Sequence, residues 1–222
     1  MQSSPGTFAP RRSGADIPSI TPVFPLLLLE TMRDMDRPDE VLEGEDLAIS
    51  MPRRLGLSDV IFTQIHRFRE EVKRKRLQTP ATVEDLIRLV IRRPDAEEIF
   101  EEAGRRVARR AWDARSPGYR RTLGMMPQRL RSRSARAAAR RLFRQIGGGV
   151  KVEIAGRPLS LRVHDSVMVS ADPGGAACHF YRGAFAETVT RYVGKPHDAP
   201  HVKCTATGGA LCEWQSAPVA EA

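Results

Sequence analysis

The residue types best suited to chemistry in this chain of 222 residues crowd into its last fifth. Cys178, Cys204 and Cys212 are its only cysteines, and His201 stands just before the second of them. A tetrahedral structural zinc requires four soft or borderline ligands and keeps no open position. Three thiolates and the His201 imidazole would satisfy such an ion, with His197 and His179 as rival fourth ligands. The spacing is not that of a common zinc finger. The competing reading is three unpaired, half-buried cysteines, because free cysteine is often interior. Residues three apart on a strand point to opposite faces, so His201 and Cys204 share an ion only if a bulge or an irregular strand start separates them. An odd cysteine count argues against a disulfide framework.

Other reaction machinery is not evident in the sequence. Gly147, Gly148 and Gly149 follow a helical pattern instead of joining a strand to a helix, so they do not form a dinucleotide-binding turn. No phosphate-binding loop, HExxH or GxSxG pattern occurs. Charge is the second notable feature: 36 basic against 27 acidic residues give a formal net +9. Between Arg105 and Arg144 arginine recurs throughout, and Asp113 is the single acid. Such a field attracts phosphates with a steep salt dependence. It lacks interleaved aromatics or a recognition helix, which weighs against nucleic acid. With 41% hydrophobic residues and a mean hydropathy of −0.37 the chain can bury a core. The longest near-apolar run, Val23 to Leu29, is broken by Pro25 and stopped by Glu30, far short of the roughly 18 residues a membrane span needs. The expectation is a cytoplasmic protein with no membrane span.

The elements that must position these residues follow from periodicity. Residues 1–50 read as a flexible arm. Prolines at 5, 10, 18, 22 and 25 precede an acidic tract from Asp34 to Asp46, which would either stay solvated or dock on the arginine-rich segment. Leu57, Ile61, Ile65, Phe68 and Val72 define an amphipathic helix with Ser58 as its cap. Thr82 is expected to cap a second helix with apolar Val83, Leu86, Ile87 and Val90. A third follows Pro94, with Ile99, Ala103 and Val107 inward and Gly104 packed closely on a neighbour. Pro127 opens a fourth that ends at the triple glycine. The period then changes to two. Val150, Val152 and Ile154 pair with Leu159, Leu161 and Val163 across the Gly156-Arg157-Pro158 turn. A helix over Phe180 to Tyr192 and two strands near 202–206 and 211–214 complete an α+β domain with a four-stranded antiparallel sheet, spanning residues 51–216, with 217–222 as a tail.

The segment Cys178-His-Phe-Tyr-Arg-Gly183, with His201-Val-Lys-Cys204-Thr-Ala-Thr-Gly208-Gly-Ala-Leu-Cys212-Glu-Trp214, resembles the carboxy-terminal signature of the 4-vinyl reductase domain family. The family is found in bacteriochlorophyll 4-vinyl reductase proteins and in sensor regions of phenol-responsive activators, and it is related in fold to Bet3-type vesicle-tethering subunits. The family pattern has an acidic residue where this chain has His201. The resemblance implies a zinc site at Cys178, His201, Cys204 and Cys212. It also implies a pocket for a hydrophobic small molecule, a tetrapyrrole intermediate being one such, for which Trp112, Met125, Met126, Phe143 and Phe185 are candidate lining residues. Each is also an ordinary core candidate. Participation in 4-vinyl reduction during bacteriochlorophyll biosynthesis is the alternative, although no nucleotide-cofactor motif supports a self-sufficient enzyme. A regulatory module for a protein or anionic partner is a third. Homodimerisation is the default implied by relatives. On this reading the arm is dispensable: removing residues 1–50 should leave the midpoint of a cooperative melt nearly unchanged.

Overall fold

The computed structural model describes residues 20–36, 59–146, 152–164 and 166–219. Helices α1 (Val23–Met35), α2 (Asp59–Lys73), α3 (Pro80–Val90), α4 (Ala96–Asp113), α5 (Pro117–Met125) and α6 (Gln128–Ile146) precede a hairpin of β1 (Val152–Ala155) and β2 (Ser160–Val163). Then come the short α7 (Val167–Ala171), a single 3-10 turn (Ala176–Cys178) and α8 (His179–Val193). Strands β3 (His197–Asp198), β4 (His201–Lys203), β5 (Cys212–Gln215) and β6 (Ala217–Pro218) close the chain.

Helix α8 is the centre. Phe180, Tyr181, Gly183, Ala184, Phe185, Thr188, Val189 and Tyr192 are buried on nearly every side of it. Its main partner is α4, and the two meet backbone to backbone. A Cβ on Gly104 would collide with the Phe180 carbonyl oxygen, and one on Gly183 would collide with the Glu101 carbonyl. The close packing expected of Gly104 is present and is reciprocal. The buried faces of α3 (Val83, Leu86, Ile87, Val90) and α4 (Ile99, Ala103, Val107) are those expected from periodicity. The cap of α3 differs: Thr79 accepts from the Thr82 amide at 3.3 Å and Pro80 takes the first helical position, so Thr82 lies within the helix instead of capping it. Ser58, Leu57 and the triple glycine lie outside the described residues.

Residues 20–36 correct the expectation of a flexible arm. Ile20 joins Gln78 in an isolated bridge, and α1 buries Phe24 through Leu29 together with Thr31 and Met32. The prolines that suggested an extended segment occupy positions where a helix tolerates them. Pro22 precedes the first turn and Pro25 lies within it, where backbone amides have no intrahelical acceptor. Phe24 meets Phe180 edge to face at 4.7 Å between centroids, which puts α1 directly on α8. The start of the acidic tract does dock on arginine: Asp34 pairs with Arg106 at 2.6 Å and Asp36 with Arg93. The rest of that tract lies outside the described residues.

The sheet has strand order β1-β2-β5-β4, antiparallel throughout. Alternation sorts its two faces. Ile154, Leu161, Trp214 and His201 stand in one row across the four strands, and Val152, Val163 and Cys212 in a second. The intervening row reads Glu153, Arg162, Glu213 and Lys203, a ladder of alternating charge in which Arg162 reaches Glu213 at 3.0 Å. Strands β3 and β6 form a separate two-stranded ribbon, so the expected tail contributes structure at its first two residues.

Two variants test this arrangement. Phe24→Ala should cost about 3–5 kcal/mol in chemical denaturation, as for other buried aromatic truncations. Removing residues 1–36 should lower the thermal midpoint sharply; an unchanged midpoint would show that α1 is not part of the core.

Candidate metal centre

The Sγ atoms of Cys178, Cys204 and Cys212 lie within 4.8 Å of one another. They come from three separate pieces of backbone. Cys178 ends the 3-10 turn at the N-terminus of α8, Cys204 follows β4, and Cys212 begins β5. Each is held by its own local device. The Asp172 carboxylate accepts from the amides of Gly174 at 2.9 Å and Ala177 at 2.7 Å, folding 172–178 into a tight loop. Gly175 adopts φ +90°, a left-handed conformation suited to glycine, and its missing side chain leaves room for Cys204 Sγ and Ala206. On the other side the Cys204 carbonyl accepts from the amides of Thr207 and Gly209, turning the chain back toward Cys212.

Electrostatics match a site made for thiolate. Cys212 sits far below the ordinary thiol range, because it accepts from the Cys178 thiol and also from His201 and Thr205. The Thr205 amide and hydroxyl approach its sulfur at 3.5 and 3.2 Å. Cys178 moves the opposite way, pushed up by that hydrogen bond to Cys212, by burial and by the charge of its neighbours. Protons distributed so unequally over adjacent buried sulfurs mark a place where a soft dication would replace them favourably. Tyr181 beside them is pushed up by burial and stays neutral, its hydroxyl 2.7 Å from that of Ser166.

His201 stands beside this trio and not within it. Its ring stacks on Trp214 at 4.4 Å and 6°, and its Nε2 is buried without a hydrogen-bond partner. The register does shift between His201 and Lys203, the irregularity that a shared ion would need. The rival histidines are engaged elsewhere. His197 Nδ1 contacts the Lys195 carbonyl at 2.8 Å, and His179 faces Glu97 and Glu101 at 3.5 and 3.7 Å. Glu101 is held below its ordinary value by that histidine and by Arg182 and Arg105. Arg182 also grips Asp198 with two bonds and holds its carboxyl low, which fixes the loop leading into β4.

The five expected lining residues do not share one wall. Phe143 and Phe185 are core residues with centroids 6.4 Å apart. Trp112 packs edge-on against Tyr192 at 4.9 Å and borders a cavity of about 190 Å³ with Ala138 and Leu142. Met126 is half-buried against the core, while Met125 is 75% exposed. Asp172 and Thr205 escaped the sequence reading. The signal for Asp172 was the Asp-Pro-Gly-Gly turn chemistry that follows it; nothing in the sequence marked Thr205.

The described residues thus form an α+β domain whose last helix and sheet converge on a buried trio of thiols. Residues 159–216, about a quarter of the chain, match the family model of the 4-vinyl reductase domain, and this stretch holds all three cysteines. Comparison with curated proteins and with solved structures gave no match.

Asp172→Ala leaves two amides without their acceptor and should destabilise the domain by about 3 kcal/mol, read by urea unfolding. Acid should act through Glu101 and Asp198. Both are depressed in the folded chain, so their contribution is full above the unfolded carboxylate range near roughly 4 and is lost as pH falls through the lower folded values. Glu101→Gln should flatten that acid limb of the stability curve.

Proposed function

We propose that the chain is a zinc-stabilised module that binds a small hydrophobic molecule. The observation that carries this reading is the convergence of Cys178, Cys204 and Cys212 from three chain segments. The chemistry of the donors fits zinc: three thiols and a neighbouring imidazole are the ligand types of a closed structural site. In this reading His201 supplies the fourth ligand, its buried and unpartnered Nε2 being the available nitrogen. The ion then ties the start of α8 to the final hairpin, and its binding energy becomes folding energy.

The match to the 4-vinyl reductase domain supports ligand binding as the purpose of that stabilised frame. The cavity bordered by Trp112 and Tyr192 is the hydrophobic place for it. At about 190 Å³ it is smaller than the roughly 300–1,000 Å³ of common ligand sites. That volume suits a molecule of one ring system and not a tetrapyrrole.

Elemental analysis should find one zinc per chain, lost in Cys204→Ser and Cys212→Ser together with a large drop in stability. His201→Glu should retain the ion, because a carboxylate is an acceptable zinc ligand, and His197→Ala should retain it too. Acidification should release zinc as the thiolates take up protons. Full stability without metal in every variant would show the cysteines to be plain core residues. Native mass spectrometry of protein from its source reads metal and bound ligand together; Trp112→Ala should lose the ligand and keep the zinc.

A further inference from the structure

The arginine-rich segment divides into two parts with different surroundings. On α4 the arginines are matched to acids: Arg105 with Glu101, Arg106 with Glu102 and Asp34, and Arg109 with Glu102 and Glu187. On α6 they are not. Arg129, Arg133 and Arg136 recur on one face of its first half and form one wall of a cleft of about 490 Å³. Arg157, in the turn between β1 and β2, stands on the same cleft. Among the described residues no carboxylate lines it, and Arg129, Arg133 and Arg157 carry no ion pair. Arg136 spends one nitrogen on the Gly156 carbonyl at 3.0 Å, which joins the two walls, while its Nε is buried without a partner.

The rest of the cleft is not a polar surface. Leu159, Val189 and Val193 are buried residues that contribute to its lining, and Pro158 and Pro218 flank them. Four guanidinium groups around an apolar floor repel one another unless anions are present, and each presents a planar fork that suits a carboxylate or phosphate. The volume lies within the roughly 300–1,000 Å³ range of small-molecule sites. Nucleic acid fits less well, because no aromatic side chain lines the cleft to stack on a base.

We propose that this cleft binds a small organic dianion, a molecule with an apolar body and carboxylate or phosphate groups toward its ends. One anionic group meets Arg129 and Arg133 on α6, the other meets Arg157 across the floor, and the body covers Val189 and Val193. The site shares no residue with the thiol trio or with the cavity beside Trp112, so it stands independently of the zinc reading.

Calorimetric titration of the full chain with decanedioate and with naphthalene dicarboxylate tests this at about 50 and about 200 mM salt. One molecule per chain should bind, more weakly at the higher salt. Arg129→Gln/Arg133→Gln, both exposed, should weaken binding about tenfold or more, and Arg157→Gln should do so separately. Removing two charges elsewhere, as Arg74→Gln/Arg92→Gln, should change affinity less than about twofold. The neutral dimethyl esters should not bind. Binding of neither dianion, an equal loss in the control variant, or inorganic phosphate binding as tightly as the dianions would overturn the proposal. A DNA oligomer that binds more tightly than either dianion and fails with the same arginine variants would overturn it in favour of nucleic acid.

Discussion

The contact between α4 and α8 at Gly104 and Gly183 governs the rest of the molecule. Two helices can meet backbone to backbone only where neither carries a Cβ, and here each supplies a glycine under the other's carbonyl. That approach buries α8 almost completely, so every other element is arranged around it. α1 covers it through Phe24, α6 through Phe143, and the sheet through Trp214, whose ring lies 5.1 Å from that of Tyr181. Because α8 is immobilised along its length, its first turn is a fixed platform. Cys178 is presented from that platform to two sulfurs on the hairpin, and this rigidity is what lets three distant cysteines meet.

Charge follows the same frame. The arginines of α4 lie where acids from α1 and α8 reach them, so their charge fastens the helical layer. Those on α6 face the sheet side, where the nearest polar groups are backbone carbonyls: Tyr192 for Arg131, Gly156 for Arg136 and Ile154 for Arg140. A carbonyl offers a hydrogen bond but no neutralising charge. One run of sequence, uniform in composition, therefore becomes a structural clamp at one end and an electropositive surface at the other.

The sequence carried the amphipathic helices, the β1–β2 hairpin and the cysteine trio well, because each rests on a local signal: a period of four or two, a turn dipeptide, or a rare residue type. Its failures share one cause. Pro25 and Pro117 look like breakers in a linear reading, yet both sit in first turns, and nothing local distinguishes a proline that starts a helix from one that prevents it. α1 also lacks an amphipathic stripe, since it is covered on several sides by elements far along the chain. The candidate lining residues failed for a related reason. Apolar type says that a residue is interior, but whether it faces a cavity or a neighbour is decided by tertiary packing; Met125 and Phe143 have similar hydrophobicity and opposite fates. His201 was legible as a donor, whereas its stacking on Trp214 depends on strand register.

The sheet's two edges have a consequence for how copies of this chain can associate. β4 is only three residues long, bears Lys203 and loses register beside His201, so it offers a poor template for another strand. At the opposite edge the Ile154 carbonyl of β1 is already taken by Arg140, and α6 lies over that strand. Neither border is open to strand addition. The sheet is closed to growth without forming a barrel, which protects the chain from edge-to-edge aggregation and leaves helical faces as the ground on which subunits can meet.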